Sequence, residues 1–248
     1  MLKAILLDLD DTLLTNPMTK FIPAYFQALS AYMAHLVPPE RLLEELMRGS
    51  NAMEANAGTG STNEEAFAAI FYPALGHKRS DLEPVIQQFY AEEFPKLRTL
   101  TRPVAASHPL VEWALESGLQ VVIATNPFFP RVAIEQRLEW ANVPVTEFAY
   151  ALVTCYENMH ATKAHPAYYE EIVDLLSLQP EECLMVGDDW KRDMEPAASI
   201  GIPIYWITPS PDAQLPGSPT QQMEGGGLLG QGTLGSFWDW VGRGGLAV

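Results

Sequence analysis

Hydrophobic positions along this chain fall into two patterns that alternate. Short apolar runs, each bounded by polar or turn-forming residues, are typical of strands that are buried on both faces of a parallel sheet. These runs lie at residues 5–7, 121–124, 148–153, 183–186 and 202–207. Other segments place their apolar residues three and four positions apart, which predicts helices, at residues 108–116, 131–140, 167–176 and 194–200. Strands that alternate with helices predict an α/β fold with a doubly wound, Rossmann-like parallel sheet of five strands.

The interval from residue 16 to residue 100 breaks this alternation, because it contains helical patterns and no convincing strand. Within it, the polar and glycine-rich stretch 49–63 predicts a mobile linker between two helices. We therefore predict a helical cap over residues 16–100. This cap is inserted into a Rossmann-like core that comprises residues 1–15 and 101–207.

The last part of the chain, residues 208–248, has a different composition. Residues 209–235 are rich in Pro, Gly, Ser and Gln, which predicts a poorly structured tail. Phe237, Trp238 and Trp240 follow, and we expect this aromatic cluster to pack back onto the body of the protein.

Composition narrows the class of protein. With 48% hydrophobic and 19% charged residues, the chain is typical of a globular protein rather than a disordered one. It has no run of about 20 apolar residues, and a strand follows Met1 without a leader, so we expect a cytoplasmic protein with no membrane partner. Cys155 and Cys183 are expected to be reduced, buried thiols. The net charge of −16 argues against a nucleic-acid partner and is compatible with a bound divalent cation.

Polar residues capable of chemistry follow four of the predicted strands. Ligands of open α/β sheets collect beyond the carboxyl ends of the strands, so we expect these side chains to meet there. The candidates, in chain order, are Asp8, Asp10 and Thr12 after the first strand, Thr125 and Asn126 after the second, Lys163 after the third, and Asp188, Asp189 and Asp193 after the fourth.

The same residues resemble the four motifs of the haloacid dehalogenase superfamily, over residues 3 to about 207. The first motif of that superfamily is Asp-x-Asp-x-Thr, the second an apolar strand that ends in Thr or Ser, the third a lysine, and the fourth Gly-Asp-x4-Asp. The matching residues here are Asp8, Asp10 and Thr12, then Thr125, then Lys163, and finally Gly187, Asp188 and Asp193. The resemblance implies a Mg²⁺-dependent phosphatase whose helical cap lies between the first and second motifs.

The resemblance also implies roles for these residues. Asp8 is expected to attack phosphorus and form an aspartyl-phosphate, which divides one hard step into two easier ones. Asp10 is expected to protonate the leaving alkoxide and then to activate water. Thr125 and Lys163 are expected to stabilise the phosphoryl oxygens, with Thr12 and Asn126 as further substrate contacts.

A divalent cation is expected to bridge the nucleophile and the substrate, because a phosphate dianion repels a carboxylate. Mg²⁺ prefers oxygen ligands and keeps several waters. By resemblance, its ligands are the side chains of Asp8 and Asp188 and the backbone carbonyl of Asp10. Asp193 or Asp189 would hold a metal-bound water.

Three other activities depend on similar residues: dehalogenation, phosphoryl transfer by a mutase, and signalling by a receiver-type domain. A dehalogenase of the same superfamily needs neither the second aspartate nor a metal, whereas this chain has Asp10 and a full acidic fourth motif. A phosphomutase uses the same carboxylates and differs in how it excludes water. A receiver-type signalling domain has its phosphorylated aspartate after the third strand, whereas no acid immediately ends the third predicted strand of this chain.

The substrate is expected to be a small phosphorylated metabolite, because a cap that closes over the site excludes a folded partner. Sugar phosphates, nucleoside monophosphates and phosphoglycolate-like acids all remain open at this point, as does the oligomeric state.

Overall fold

The computed structural model describes residues 1–58, 60–209 and 227–246 of the 248-residue chain. Six strands form one sheet in the order β5-β4-β1-β6-β7-β8, and every neighbouring pair in it is parallel. The strands are β1 (Ala4–Leu7), β4 (Gln120–Ile123), β5 (Leu152–Val153), β6 (Cys183–Gly187), β7 (Ile204–Ile207) and β8 (Leu228–Gly232). The predicted α/β class with a doubly wound parallel sheet is confirmed.

Helices cover both faces of the sheet, which explains why its strands are almost wholly apolar. Along β1, Ile5 and Leu7 belong to one hydrophobic cluster, while Ala4 and Leu6 belong to another on the opposite face. The first cluster includes residues of α5 (Ser107–Glu116), α6 (Arg131–Trp140) and α9 (Leu234–Gly242). The second includes residues of α7 (Pro166–Leu176) and α8 (Glu195–Ser199). The core of the protein is therefore a three-layer arrangement.

Four helices lie between the first and second long strands of the sheet. They are α1 (Met18–Met33), α2 (Pro39–Glu54), α3 (Asn63–Leu75) and α4 (Arg79–Glu92), followed by a 3₁₀ helix at Phe94–Leu100. Two short strands, β2 (Leu14–Thr15) and β3 (Arg102–Pro103), form an antiparallel pair. This pair lies just before and just after the helical segment in the chain, so it holds the two ends of the segment together. The buried residues of α1 share a hydrophobic cluster with α6, so the helices pack onto the body of the protein.

The prediction of a poorly structured tail is wrong for residues 228–232, because they form β8 and add a sixth strand beside β7. The glycines that suggested irregular structure serve close packing instead. A Cβ at Gly230 would stand 2.8 Å from a ring carbon of Tyr205, so only glycine lets this strand approach that ring. Residues 210–226 of the predicted tail lie outside the described residues.

The aromatic residues near the C-terminus pack onto the body, as predicted. Phe237 is fully buried, and its ring centroid lies 4.6 Å from that of Tyr205 on β7. Trp238 meets Trp113 of α5 edge to face at 6.3 Å. Helix α9 thus covers one face of the sheet.

The predicted linker 49–63 is wrong over its first part, because α2 continues through Glu54. Gly49 lies inside this helix, where a Cβ would stand 2.5 Å from a ring carbon of Phe67. The glycine therefore permits close packing of α2 against α3 rather than marking a loop.

Both cysteines, Cys155 and Cys183, are free and buried, as expected. Across the three described ranges, no helix has the length and apolar character that crossing a membrane requires.

Candidate active site

Eight of the nine candidate residues line one cavity of about 460 Å³ at the carboxyl ends of the strands. They reach it from four separate parts of the chain, which the parallel sheet brings to one edge. These residues are Asp8, Asp10, Thr125, Asn126, Lys163, Asp188, Asp189 and Asp193. Thr12 lines a neighbouring cavity instead.

The loop after β1 orients the first two acids. Leu9 between them is fully buried, and its carbonyl accepts hydrogen bonds from the backbone N–H groups of Leu13 and Leu14, which closes a tight turn. Asp11 adopts the left-handed conformation with φ 58°, which aspartate tolerates better than most residues. Its Oδ1 accepts from the backbone N–H of Asn16 at 2.8 Å and stabilises the turn.

The end of β6 positions the acids of the fourth motif. Asp189 caps a π-helical turn at Trp190–Met194, because its Oδ1 accepts hydrogen bonds from the backbone N–H groups of Lys191 and Arg192. This turn places Asp193 directly beside the strand end, where its carboxylate occupies the space of a Cβ at Gly187. The glycine of the motif is therefore required by packing. Because the side chain of Asp189 caps this turn, Asp189 does not belong to the cluster of acids formed by Asp8, Asp188 and Asp193.

Three carboxylates form the centre of the site. Oxygens of Asp8, Asp188 and Asp193 all lie within 4.8 Å of one another, an arrangement that could hold a metal ion. Burial raises the pKa of Asp188, and repulsion from Asp8 and Asp193 adds to that effect. Burial also raises the pKa of Asp8, which Lys163 opposes and Asp193 reinforces. Such a crowded acid cluster is poorly compensated by protein groups alone.

Lys163 is the cation that faces these acids. It is only 2% exposed, and its Nζ lies 2.6 Å from Asp8 Oδ1 and 2.5 Å from Asp193 Oδ1. Burial alone would lower the pKa of Lys163, but Asp193 and Asp8 outweigh this and hold its pKa well above the usual value. The lysine is therefore charged at neutral pH. It lies three residues before α7, and its backbone N–H donates to Asn126 Oδ1 at 3.3 Å.

Thr125 and Asn126 follow β4, which lies on the side of β1 opposite to β6. The backbone carbonyl of Thr125 accepts hydrogen bonds from Thr154 Oγ1 at 2.8 Å and from the Tyr168 hydroxyl at 2.9 Å. These bonds fix the backbone after β4 against β5 and α7. Thr12 is also buried, and its Oγ1 has no hydrogen-bond partner among the described residues. A substrate contact of Thr12 stays a prediction.

Two residues beside Asp10 were missed in the sequence. Arg137 of α6 is 1% exposed and forms an ion pair with Asp10 Oδ2, and its guanidinium lies 4.6 Å from the ring centroid of Phe129. Asn16 Nδ2 donates to Asp10 Oδ1 at 2.7 Å. Arg137 lies on the apolar face of its helix, three residues after Ile134, and a charge in that position is a signal that could have identified it.

The parallel sheet thus brings acids and a buried lysine together at its strand ends. Residues 2–201 match the family model for haloacid dehalogenase-like hydrolases, and the chain belongs to that family of hydrolases. Among curated proteins, no sequence matches this chain.

Solved structures with the same fold carry several activities. The chain is similar to a haloacid dehalogenase-type (HAD) phosphatase from Thermococcus onnurineus, with TM-score 0.58, 19% identity, and 97% of this chain and 98% of that chain covered. It is similar to a 2-haloacid dehalogenase from Pseudomonas syringae, with TM-score 0.65, 19% identity and coverage of 98% and 99%. It is also similar to a putative β-phosphoglucomutase from Thermotoga maritima, with TM-score 0.55, 19% identity and coverage of 98% and 99%. At these identities the likeness shows the fold alone.

Proposed function

We propose that this hydrolase is a Mg²⁺-dependent phosphatase that cleaves a small phosphate monoester through an aspartyl-phosphate on Asp8. The observation that carries the proposal is the acid cluster of Asp8, Asp188 and Asp193, which shares one cavity with Asp10 and Lys163. A phosphate dianion would be repelled by these acids unless a divalent cation lay between them.

The residues present fit Mg²⁺. The cluster offers only carboxylate oxygens, which are hard ligands, and Lys163 compensates the charge of its three acids only in part. Asp8 and Asp188 would hold the ion directly, Asp10 through its backbone carbonyl, and Asp193 through water. The bound ion would neutralise charge on the phosphoryl oxygens. Asp189 has no part in this proposal, because its carboxylate caps the π-helical turn.

Asp8 acts as the nucleophile. Its carboxylate oxygen forms a bond to phosphorus as the bond from phosphorus to the leaving oxygen breaks, and the product is an acyl-phosphate. Lys163 holds the attacking carboxylate in place at 2.6 Å and opposes the rise in its pKa that burial causes. Water then attacks phosphorus and releases phosphate, which restores Asp8.

Asp10 transfers the protons. It donates one to the leaving alkoxide in the first step and removes one from the attacking water in the second. Thr125, Asn126 and Lys163 bind the phosphoryl oxygens where negative charge spreads in the transition state.

Arg137 and Asn16 position Asp10. Each of them bonds a different oxygen of that carboxylate, so together they fix its plane. Arg137 is itself held by the ring of Phe129 on the loop after β4. We propose that this support keeps Asp10 directed to the leaving oxygen and away from the metal ligands.

Replacing Arg137 with methionine is expected to lower kcat by roughly 10²-fold with little change in KM, because a misdirected acid affects the chemical step more than binding. Steady-state kinetics with an unactivated alkyl phosphate would measure this. Arg131→Met, on the exposed side of the same helix, is the matched control and should retain activity. Equal losses in the two variants, or a change confined to KM, would contradict the positioning role.

Hydrolysis of a phosphate ester uses more of this site than dehalogenation does. A halide leaves without needing a proton, so a dehalogenase would give Asp10 and its two supports no task. A phosphomutase would use the same residues, but it transfers the phosphoryl group to an acceptor instead of releasing it. Measuring free phosphate therefore separates the two.

The proposed function also assigns a role to each of the two parts of the chain. We propose that residues 16–100 act as a cap over a core of residues 1–15 and 101–207 together with β8 and α9, and that the cap contacts the alcohol part of the substrate. The expected partner is a small phosphorylated metabolite in the cytoplasm rather than a nucleic acid or a membrane.

Phosphate release from a panel of phosphorylated metabolites, measured with Mg²⁺ and again after chelation, tests the proposed function. We expect release that depends on the metal, and activity that returns when Mg²⁺ is added back. Release that persists fully after chelation, or no release from any phosphate ester while a haloacid loses halide, would contradict it.

Magnesium is expected to stabilise the protein more strongly as pH rises. Burial raises the pKa of Asp8 to about 7 and that of Asp188 to about 9, above the ordinary 3.8. The folded protein thus binds more protons than the unfolded chain between about pH 4 and these values, so the metal-free protein loses stability as pH rises through that window. Because Mg²⁺ needs the ionised acids, the Tm increase that it causes should be small near pH 5.5 and large near pH 8.5. Thermal unfolding with and without Mg²⁺ measures both trends, and a Tm increase that is the same at both pH values would contradict the assignment.

A further inference from the structure

A second cavity of about 270 Å³ lies among the helices of residues 16–100 and the loop after β4. Aromatic and aliphatic side chains form its walls, among them Tyr25, Leu29, Phe67 and Phe71, and none of the described residues that line it is charged. For comparison, an apolar cavity of about 150 Å³ is large enough to bind benzene. We call this cavity the apolar chamber.

The apolar chamber lies next to the acid-lined cavity. Ile22, Phe128 and Phe129 line both of them. The two phenylalanines follow Asn126, which we place beside the phosphoryl oxygens. A ligand whose phosphoryl group lies at Asp8 would reach the chamber by passing between these side chains.

Most residues of the chamber wall are apolar, and its polar side-chain groups are the hydroxyls of Tyr25, Ser50, Tyr72, Tyr90 and Tyr156. The hydroxyls of Tyr25 and Tyr90 lie 2.9 Å apart and bond to each other in a buried position. A sugar or nucleoside would bring several hydroxyls that lose water on entry against a mostly apolar wall, which disfavours binding. A carboxylate would be disfavoured more strongly, whereas a hydrocarbon group gains by leaving water.

We infer that the apolar chamber receives the alcohol part of the substrate, and that the substrate is the phosphate monoester of a hydrophobic alcohol. This inference rests on the proposed phosphatase function and narrows it. Sugar phosphates, nucleoside monophosphates and phosphoglycolate-like acids, which the sequence left open, are then poor substrates.

Two substrates of equal carbon number and equal leaving-group type test this directly. n-Hexyl phosphate and glucose 6-phosphate both release a primary alcohol, so a difference in kcat/KM reports recognition rather than intrinsic reactivity. We expect the hexyl ester to be favoured by about 10²-fold or more. From methyl to hexyl phosphate, kcat/KM should rise by about fourfold for each added methylene.

A pair of substitutions on α2 locates the effect. Met47 and Leu43 lie one helical turn apart and are similarly exposed, at 47% and 39%, but of the two only Met47 lines the chamber. Met47→Glu should lower kcat/KM for hexyl phosphate by about tenfold and leave that for methyl phosphate within about twofold. Leu43→Glu, the matched control, should leave both values unchanged.

The outcomes separate this inference from the proposed function. Metal-dependent release of phosphate with glucose 6-phosphate equal to or better than hexyl phosphate would overturn the inference and leave the phosphatase intact. Equal effects of Met47→Glu and Leu43→Glu would also overturn it. No release from any of these esters would overturn the proposed function, and the inference with it.

Discussion

Replacing Asp8 with asparagine is expected to reduce phosphate release by roughly 10⁴-fold or more, because it removes the carboxylate that we propose attacks phosphorus and forms the acyl-phosphate. Asparagine has nearly the same shape as aspartate, so the change tests chemistry rather than packing. Steady-state phosphate release with saturating Mg²⁺ measures the loss.

Two controls separate this loss from unfolding. Asp8 is buried beside Asp188 and Asp193, and its pKa is raised by burial, so removing its charge should maintain or increase the Tm of the metal-free protein. Asp174→Asn, an equal change of charge at an exposed position of α7, should leave activity unchanged. Near-normal turnover by the Asp8 variant would show that another residue is the nucleophile.

Replacing Asp10 with asparagine is expected to lower kcat by about 10²- to 10⁴-fold for an alkyl phosphate, since the alkoxide then leaves without a proton. The size of this loss should depend on the leaving group of the substrate. With an activated aryl phosphate the first step needs no acid, but water still lacks its base in the second step.

The phosphorylated form of Asp8 should therefore accumulate in the Asp10 variant when an aryl ester is the substrate. Rapid mixing should reveal a burst of the aryl alcohol followed by slow phosphate release, whereas the two products of the unchanged enzyme should appear together. A variant that slows both esters equally and shows no burst would contradict a role for Asp10 in proton transfer.

Sequence patterns predicted the sheet well because its strands are buried on both faces. A strand in that environment must be apolar at every position, as Ala4–Leu7 is, so its run stands out from the surrounding residues. The parallel arrangement brings the carboxyl ends of β1, β4, β5 and β6 to the same edge of the sheet. Four predicted site residues therefore meet in one cavity: Asp8, Thr125, Lys163 and Asp188. These features depend on the local sequence and on a simple topological rule.

Glycine caused the main errors in the predicted fold. Gly49 and Gly230 both lie in stretches whose composition is typical of loops, yet each one permits close contact with an aromatic ring from another element. Composition cannot distinguish a glycine in a flexible loop from one required by packing, because the partner ring lies elsewhere in the sequence. The predicted linker was wrong over residues 49–54, and the predicted tail over residues 228–232, for this reason.

The support of Asp10 could not be derived from motif spacing. Arg137 lies 127 positions from Asp10 along the chain and reaches it only because α6 packs beside the loop after β1. The apolar chamber likewise depends on how α1, α2 and α3 pack together, which the amphipathic pattern of each helix does not specify. The residues that we propose act directly on the substrate were visible in the sequence. Those that we propose position Asp10 or select the substrate were not.

In the proposed mechanism, a phosphoryl group resides on Asp8 during turnover. The most direct measurement is an acid quench after rapid mixing with a substrate that carries an isotopic label in its phosphoryl group, followed by mapping of the labelled peptide. We predict label on the peptide that contains Asp8, present as an acyl-phosphate that hydroxylamine removes. Label on a different residue, or labelled phosphate that forms while the Asp8 peptide stays unlabelled, would contradict this mechanism.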